Sequence, residues 1–555
     1  MCFKLFFINL NQSPIYSQNK SPMTIPNLRF KFYVASVLIV VGLLLLANFY
    51  SMNALWAFVV VGPILLMGFY DIFQKEHAIR RNYPLLGRLR YVMEAFRPAI
   101  QQYFVEDDLN GKPFSRRRRS LVYQRAKEVN ENVPFGTQVD VYGQGYEWMV
   151  HSAYPLDASK MNRHPKVMVG GTDCKQPYDL SLYNISAMSY GSLSANAVMA
   201  MNRGAKKGGF AHNTGEGGVS PYHKQGGDLI WQIGTGYFGA RAADGSFDAE
   251  KYKNTVAHES IKMVELKLSQ GAKPGKGGIL PAIKNTKEIG EIRGVEPHQD
   301  VISPSYHKAF SNPEGLMHFI KKLRDLSGGK PVGFKLCIGS EQEFYDMCKA
   351  MIKTSIYPDF ITIDGGEGGT GAAPVEFSDS LGMPMKEGLS FAVDTLRGFN
   401  LKKDIRIIAA GRITSAFDMV KVLAIGADAC YSARAMMMAV GCIQALECHS
   451  NNCPTGVATQ DKSLMKGLEV GDKSDRVYHF HKKTLYALVD MMAAAGISAP
   501  SKIKRKHIFK RTGAGLVRRY DQLYPSIPVG CCLNTDEIPA LFKQEMLMLL
   551  GDGED

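Results

Sequence analysis

The chain predicts an α/β protein, a (β/α)8 barrel of the TIM-barrel type behind an N-terminal transmembrane helical hairpin. Three observations lead there. From about residue 150 onward, short β-rich runs alternate with helical stretches. Gly-rich or polar loops follow most of those runs, as they do at the strand ends of such a barrel. Near the N-terminus stand two long apolar runs without a charged residue. With 555 residues, 45% hydrophobic and 21% charged, the chain can bury a full-sized core and hold more than one domain. Its 54 glycines sit largely in short clusters, which suits backbone-lined ligand loops better than disorder.

The first element is the hairpin. Phe32–Ala47 reads FYVASVLIVVGLLLLA and Ala54–Tyr70 reads ALWAFVVVGPILLMGFY. Each approaches the roughly 20 residues that a spanning helix needs. The linker Asn48–Asn53 is short and uncharged. Lys20, Arg29 and Lys31 precede the pair, and Lys75, Arg80, Arg81, Arg88 and Arg90 follow it. The positive-inside rule then puts both ends in the cytoplasm, with a two-span anchor in the cytoplasmic membrane. A signal peptide followed by a buried helix is the alternative, but no small-residue cleavage site separates the runs.

Charge distribution agrees. Residues 1–130 hold 17 Lys/Arg against 7 Asp/Glu, +10 of the net +14. A nucleic-acid binder would carry its basic excess on the folded domain, so nucleic acid is not an expected partner. An excess that flanks apolar segments points to a membrane surface. The expected domains are a tail (1–31), two spans (32–71), a basic cytosolic connecting region (72–150), the barrel (151–470) and a C-terminal helical extension (471–555). Met23 is an alternative start, and the run Arg116–Arg119 suits anionic headgroups or a solvated face equally. The ten Cys form no obvious disulfide framework, which implies a reducing compartment.

The barrel follows in order. Strand candidates are Ile185–Met188, Phe210–Asn213, Leu229–Ile233, Met263–Leu268, Asp300–Ser303, Pro331–Cys337, Phe360–Asp364, Ile405–Ala410 and Ala427–Tyr431. A doubly wound sheet is the runner-up, but no G-x-G-x-x-G follows a first strand. Chemistry in such a barrel sits just after the strands. The residues found there are Ser189–Ser192, Asn213–Gly218, Gln270–Gly278, Asp364–Gly371, Gly411-Arg412 and Ser432-Ala433-Arg434, with Lys335 on a later strand. The last two loops, with Gly411, Arg412, Ser432 and Ala433, fit a phosphate cradle of converging backbone N–H groups.

Cys442-x5-Cys448-x4-Cys453, followed by Pro454, comes just after the last strand. Three thiolates on one loop suit an iron–sulfur cluster or zinc. Zinc would want a fourth ligand, for which His449 is the near candidate. Three Cys alone suit a three-iron cluster, and three core cysteines are the plain alternative.

These segments together resemble the FMN-binding synthase domain of glutamate synthase. The matching stretches are Ser186–Ser194 (SAMSYGSLS), Asn213–Gly218 (NTGEGG), Gln270–Gly275 (QGAKPG), Gly365–Gly371 (GGEGGTG) and Cys448–Gln460 (CHSNNCPTGVATQ), in the family's order over residues 180–460. The resemblance implies a barrel with FMN in its mouth, held near Ser189, Lys335, Gly365, Gly366, Gly411, Arg412, Ser432 and Ala433. It implies a [3Fe-4S] cluster on Cys442, Cys448 and Cys453. It also implies reductive amination of 2-oxoglutarate by ammonia to L-glutamate through 2-iminoglutarate, with Glu216, Gln270, Lys273 and Arg293 contacting substrate or flavin. Lys273 and Arg293 suit the substrate carboxylates, Glu216 a proton transfer, and Lys335 the anionic reduced flavin. Electrons are expected from a ferredoxin-like protein or a membrane donor, since no nicotinamide fingerprint is present.

The sequence departs from the family in places. The loop after Glu216 reads Gly217-Gly218-Val219-Ser220 where the family often continues with two acids, and Lys276 stands where Glu is common. Only 31 residues precede Phe32, too few for a glutaminase domain, so Cys2 is not read as its nucleophile. Residues 471–555 leave no room for the β-helix of large relatives. Ammonia would come from solution or another subunit. The alternatives are another amine donor, as in a synthase-like enzyme or subunit of the N-methylglutamate synthase type, or a non-catalytic membrane electron-transfer subunit. A hydroxy-acid oxidase is disfavoured because no His precedes Gly.

Overall fold

The computed structural model describes residues 28–540 and 542–550, so Cys2, Met23 and most of the expected 1–31 tail lie outside the described residues. Two units separate at Glu106/Asp107. In the first, helix Leu28–Phe49 is followed by a 3-10 turn, Met52–Ala57, that runs into helix Phe58–Phe73. The spans Leu28–Phe49 and Met52–Phe73 have mean hydropathies of 2.4 and 1.9 and are long and apolar enough to cross a membrane. Only 11% and 6% of their apolar windows are buried. They touch through Phe32 and Phe69, edge to face at 5.4 Å. At the end of the second helix, buried Asp71 pairs with Arg88 at 2.7 Å.

The second unit holds a closed barrel of eight parallel strands. They are β1 (Tyr183–Ile185), β2 (His212–Asn213), β3 (Leu229–Ile233), β4 (Ile261–Lys267), β5 (Val332–Leu336), β6 (Phe360–Asp364), β7 (Arg406–Ala410) and β8 (Ala429–Ser432). Each pairs with its successor, and β8 closes on β1 with Tyr431 opposite Asn184. Almost every strand residue is buried, so the strands read as short apolar runs without alternation.

Alternation survives in what the strands carry inside. Ile230, Met263, Phe360, Ile408 and Ala429 form one apolar cluster. The hairpin Lys166–Val169/Tyr178–Ser181 adds Val169 and Leu180 to that cluster and plugs the N-terminal end. Two residues further along the strands the cluster gives way to a polar layer centred on fully buried Glu265. It accepts hydrogen bonds from Asn213 (2.8 Å), Gln232 (2.6 Å) and Thr362 (2.6 Å). Two residues beyond that come Lys267 and Asp364, and Lys335 meets Asp364 at 3.0 Å. A buried carboxylate is tolerable only with such partners.

Of the nine strand candidates, eight supply the barrel and Asp300–Ser303 does not. Val301–Ile302 instead pairs antiparallel with Ile279–Leu280, outside the barrel. Ile302 is exposed and Pro304 follows, so the segment does not suit a barrel strand buried on both faces. It belongs to a long excursion between β4 and helix Pro313–Leu326.

The stretch 72–150 is divided between the two units. Phe114 lies in the main core, and helix Arg116–Ala126 packs on the long helix Val470–Ala494. Within the four-Arg run, Arg119 is buried and donates to the Phe114 carbonyl. Glu147–Met149 pairs with Ile508–Gly513, which pairs with Leu516–Arg519, so the C-terminal segment carries a hairpin as well as helices.

Candidate active site

The loops at the C-terminal ends of the strands surround a cavity of about 290 Å3. A smaller cavity of about 70 Å3 adjoins it, and both are bordered by Phe114, Ala187, Gln270, Gly369, Ala433 and Arg434. A wider cleft of about 830 Å3 lies at the opposite end of the barrel, beside Leu182, Lys402 and Ala427 just before β1, β7 and β8. Barrel chemistry belongs at the other end, where the functional loops converge.

Ser189, Glu216, Gln270 and Lys273 are among the expected residues that line the larger cavity. Glu216 pairs with Lys267 at 2.9 Å. Burial alone would raise its carboxyl, but Lys267, with Lys273 and Arg293 beyond, outweighs that and holds it below the usual range. Lys273 is buried and donates to the Ala372 carbonyl at 3.0 Å; burial depresses its ammonium, against the pull of Glu216. Arg293 does not line the cavity. Its Nη2 donates to the Tyr190 carbonyl at 3.0 Å, its guanidinium lies over Phe238 at 5.2 Å, and its buried Nε has no partner among the described residues. It therefore acts on the site from behind, through the charge on Glu216 and the Tyr190 loop.

The smaller cavity is bordered by Lys335, Gly411, Arg412, Ser432 and Ala433, all expected cofactor contacts. Burial would lower the Lys335 ammonium, but the carboxylates of Asp364, Glu265 and Glu216 more than offset it, so the side chain stays charged. The backbone N–H groups of Arg412, Ala433 and Arg434 have no partner among the described residues. Burial, together with the neighbouring Arg412, pushes the Arg434 guanidinium down to about 10. Two cations beside three free N–H groups are the donor set that an anion such as phosphate neutralises. Gly365 and Gly366 do not line either cavity. A Cβ on Gly365 would come within 2.3 Å of Met385 Cβ, and one on Gly366 within 2.7 Å of the Gly382 carbonyl. Packing accounts for both, and Gly368 and Gly369 border the smaller cavity instead.

Cys442, Cys448 and Cys453 all border the larger cavity. Burial pushes the Cys442 thiol up to about 12 and raises Cys448. For Cys453 burial also acts upward, but hydrogen bonds from the Ala458, Thr455 and Val457 region prevail and lower it. Among the described residues no three His, Cys, Asp or Glu side chains converge as one metal ion would require. A polynuclear cluster spreads its thiolates over separate irons, and three cysteines on one loop, with backbone N–H donors at Cys453, are chemistry that fits one.

Several contributors were not singled out from sequence. Lys267 extends the inward row of Met263 and Glu265, a parity that a committed strand register would have exposed. Phe114 comes from far upstream and caps both cavities, with Arg434 over its ring at 4.7 Å. Lys284 reaches the cysteine loop from the excursion after β4. Neither of these last two carries a local signal.

Comparison with known proteins gives the family. The family model described as the conserved region in glutamate synthase matches residues 135–498. A glutamate synthase large subunit-like protein of Bacillus subtilis is 38% identical over 504 residues, covering 83% of this chain and 95% of that one. Archaeal-type glutamate synthase [NADPH] of Thermotoga neapolitana is 34% identical over 316 residues, 57% of this chain and 59% of that protein. The chain thus spans about three fifths of the archaeal-type relative. Among solved structures, a mandelate oxidase variant with an FMN adduct aligns with a TM-score of 0.38 at 13% identity, over 74% of this chain and 98% of that one. With the family region matched across most of its length, the chain belongs to the glutamate synthase family.

Proposed function

We propose that the protein is a membrane-anchored FMN- and iron–sulfur-dependent oxidoreductase that reductively aminates 2-oxoglutarate to L-glutamate. One observation carries the reading: a single cavity brings the Glu216–Lys267 pair, Gln270 and Lys273 together with three cysteines, beside an anion cradle.

The chain's own residues supply binding and charge control. Lys273 is the cavity-facing cation for a substrate carboxylate. Ammonia condenses with the ketone, releasing water and giving 2-iminoglutarate. Glu216, held anionic by Lys267, favours the protonated iminium, which is the better electron acceptor. Taking up two electrons and the remaining proton completes L-glutamate. Gln270, beside Lys273, can orient the substrate through its amide.

The cradle of Arg412, Ala433 and Arg434 would hold the FMN phosphate, and Lys335 would favour an anionic reduced ring. Bound there, FMN supplies the two-electron reduction. Cys442, Cys448 and Cys453 would ligate a [3Fe-4S] cluster, which passes single electrons. The donor is a ferredoxin-like protein or a membrane carrier. Anchoring rests on two apolar helices that remain largely unburied, with the catalytic unit in the cytoplasm.

The test is purification of the full chain in detergent, followed by identification of heat-released flavin, assay of iron and sulfide, and turnover with reduced viologen. FMN, iron, sulfide and L-glutamate formed from 2-oxoglutarate plus ammonia are expected. FAD, absence of flavin, or turnover only with another amine donor would overturn the corresponding part.

A further inference from the structure

Lys284 lies where the cysteine loop meets the first barrel loop, in surroundings unusual for a cation. The residue is 2% exposed. Its Nζ donates to the carbonyls of Ser192 (3.1 Å), Cys448 (2.7 Å) and Ala458 (2.7 Å). Three acceptors use all three N–H groups of an ammonium, so its hydrogen bonding is complete. Its charge is not balanced: carbonyl dipoles carry no net charge, and Lys284 forms no ion pair with a carboxylate among the described residues. A buried charge is costly unless an opposite charge accompanies it. The groups near enough to supply one are Cys448 and Cys453.

The backbone around Lys284 is fixed for this placement. It ends a 3-10 turn, Ala282–Lys284, and the next residue, Asn285, donates from Nδ2 to the Glu296 (2.7 Å) and Gln299 (2.9 Å) carbonyls. The lysine is therefore delivered to the cysteines from a clamped turn rather than from a free side-chain rotamer.

We propose that Lys284 is the counter-cation and positioning residue of the three-cysteine site. Its charge is balanced by the anionic thiolate-bound cluster, and its three hydrogen bonds tie the cysteine loop to the first barrel loop. This rests on the reading of Cys442, Cys448 and Cys453 as cluster ligands. A fixed positive charge beside the cluster favours the more negative, reduced form. Removing it should lower the reduction potential and weaken retention of iron. One electron enters from the donor and one leaves toward the flavin, so the charge sets how readily the cluster accepts it.

The test uses full-length, detergent-purified protein carrying Lys284→Gln, Lys284→Met or Lys284→Arg. FMN content reports folding, iron and sulfide per FMN report retention, and an electron paramagnetic resonance redox titration reports the potential. The neutral variants should show a lower potential and faster loss of iron, while Lys284→Arg, which keeps the charge, should stay near the wild type. A neutral variant with FMN, iron and potential all unchanged overturns the proposal. So does a Lys284→Arg protein with normal FMN whose potential falls as far as in the neutral variants, because packing rather than charge would then be the cause. If no neutral variant retains FMN, Lys284 is needed for folding itself and the proposal is likewise overturned. Wild-type protein with FMN but no iron or sulfide would instead defeat the cluster reading.

Discussion

Gly271→Ala tests how the two central loops of the site are built. Gly271 stands between Gln270 and Lys273's neighbour Ala272, where the loop after β4 crosses the loop after β6. A Cβ there would lie 1.6 Å from the Gly365 carbonyl oxygen, whereas real Cβ atoms essentially never come within 3.0 Å of a neighbour. The obstacle is backbone, so one loop must retreat by at least 3.0 − 1.6 = 1.4 Å. The same shift strains the hydrogen bond from Gly271 N–H to Asp364 Oδ2 (3.2 Å), and that carboxylate anchors Lys335 at 3.0 Å. A charge-assisted bond of this kind is worth about 1.5–3 kcal/mol. A misplacement near 1 Å costs on the order of a hundredfold in rate. We expect kcat/KM to fall about a hundredfold or more, while the phosphate cradle at Arg412 and Ala433 still retains flavin. The assay is L-glutamate formation alongside flavin absorbance in the same preparation. A variant within threefold of wild-type kcat/KM would show that the loops are not held by this contact.

Lys273→Met removes a cation that lines the cavity, and the KM for 2-oxoglutarate should rise about tenfold to a hundredfold, as expected for loss of one charge-assisted contact; steady-state kinetics with an unchanged KM would take Lys273 out of the substrate site. Arg293→Lys should act mainly on kcat and on the pH profile, because Arg293 sits behind the Tyr190 loop; a large KM effect alone would place it against the substrate after all. Lys267→Met leaves burial of Glu216 opposed only by more distant cations. In the wild type the Glu216 carboxyl is depressed, so the stability it contributes is present above its unfolded pKa and lost as pH falls through its folded pKa. In Lys267→Met the acid limb of both stability and activity should move to higher pH, and coincident pH profiles would refute the pair's role. Deletion of residues 1–106, at the boundary between the two units, should give protein that stays in solution without detergent and still binds flavin; continued dependence on detergent would place the membrane contact in the second unit.

Much of the fold was legible in the sequence because its signals are local. Short apolar runs ending in Gly-rich or polar loops announced parallel strands buried on both faces, and eight of nine candidates entered the barrel. The exception, Asp300–Ser303, has the composition of a strand, but its paired residues meet Ile279–Leu280 antiparallel in the excursion after β4 rather than a barrel neighbour. The cysteine spacing and the order of the strand-end loops were equally readable, since a loop that follows a barrel strand must reach the mouth. Which loop side chain faces the cavity follows no period. Glu216, Gln270 and Lys273 do, whereas Arg293 stands behind the Tyr190 loop and Gly365 and Gly366 answer to Met385 and Gly382. By itself, then, the amino-acid sequence determined the barrel, the family's motifs and the apolar N-terminal pair. Only tertiary structure decided that Phe114 caps the mouth, that Lys267 neutralises Glu216 and that Lys284 is buried against the cysteine loop. These are contacts between residues far apart in the chain, set by how the loops close on one another rather than by any repeat along it.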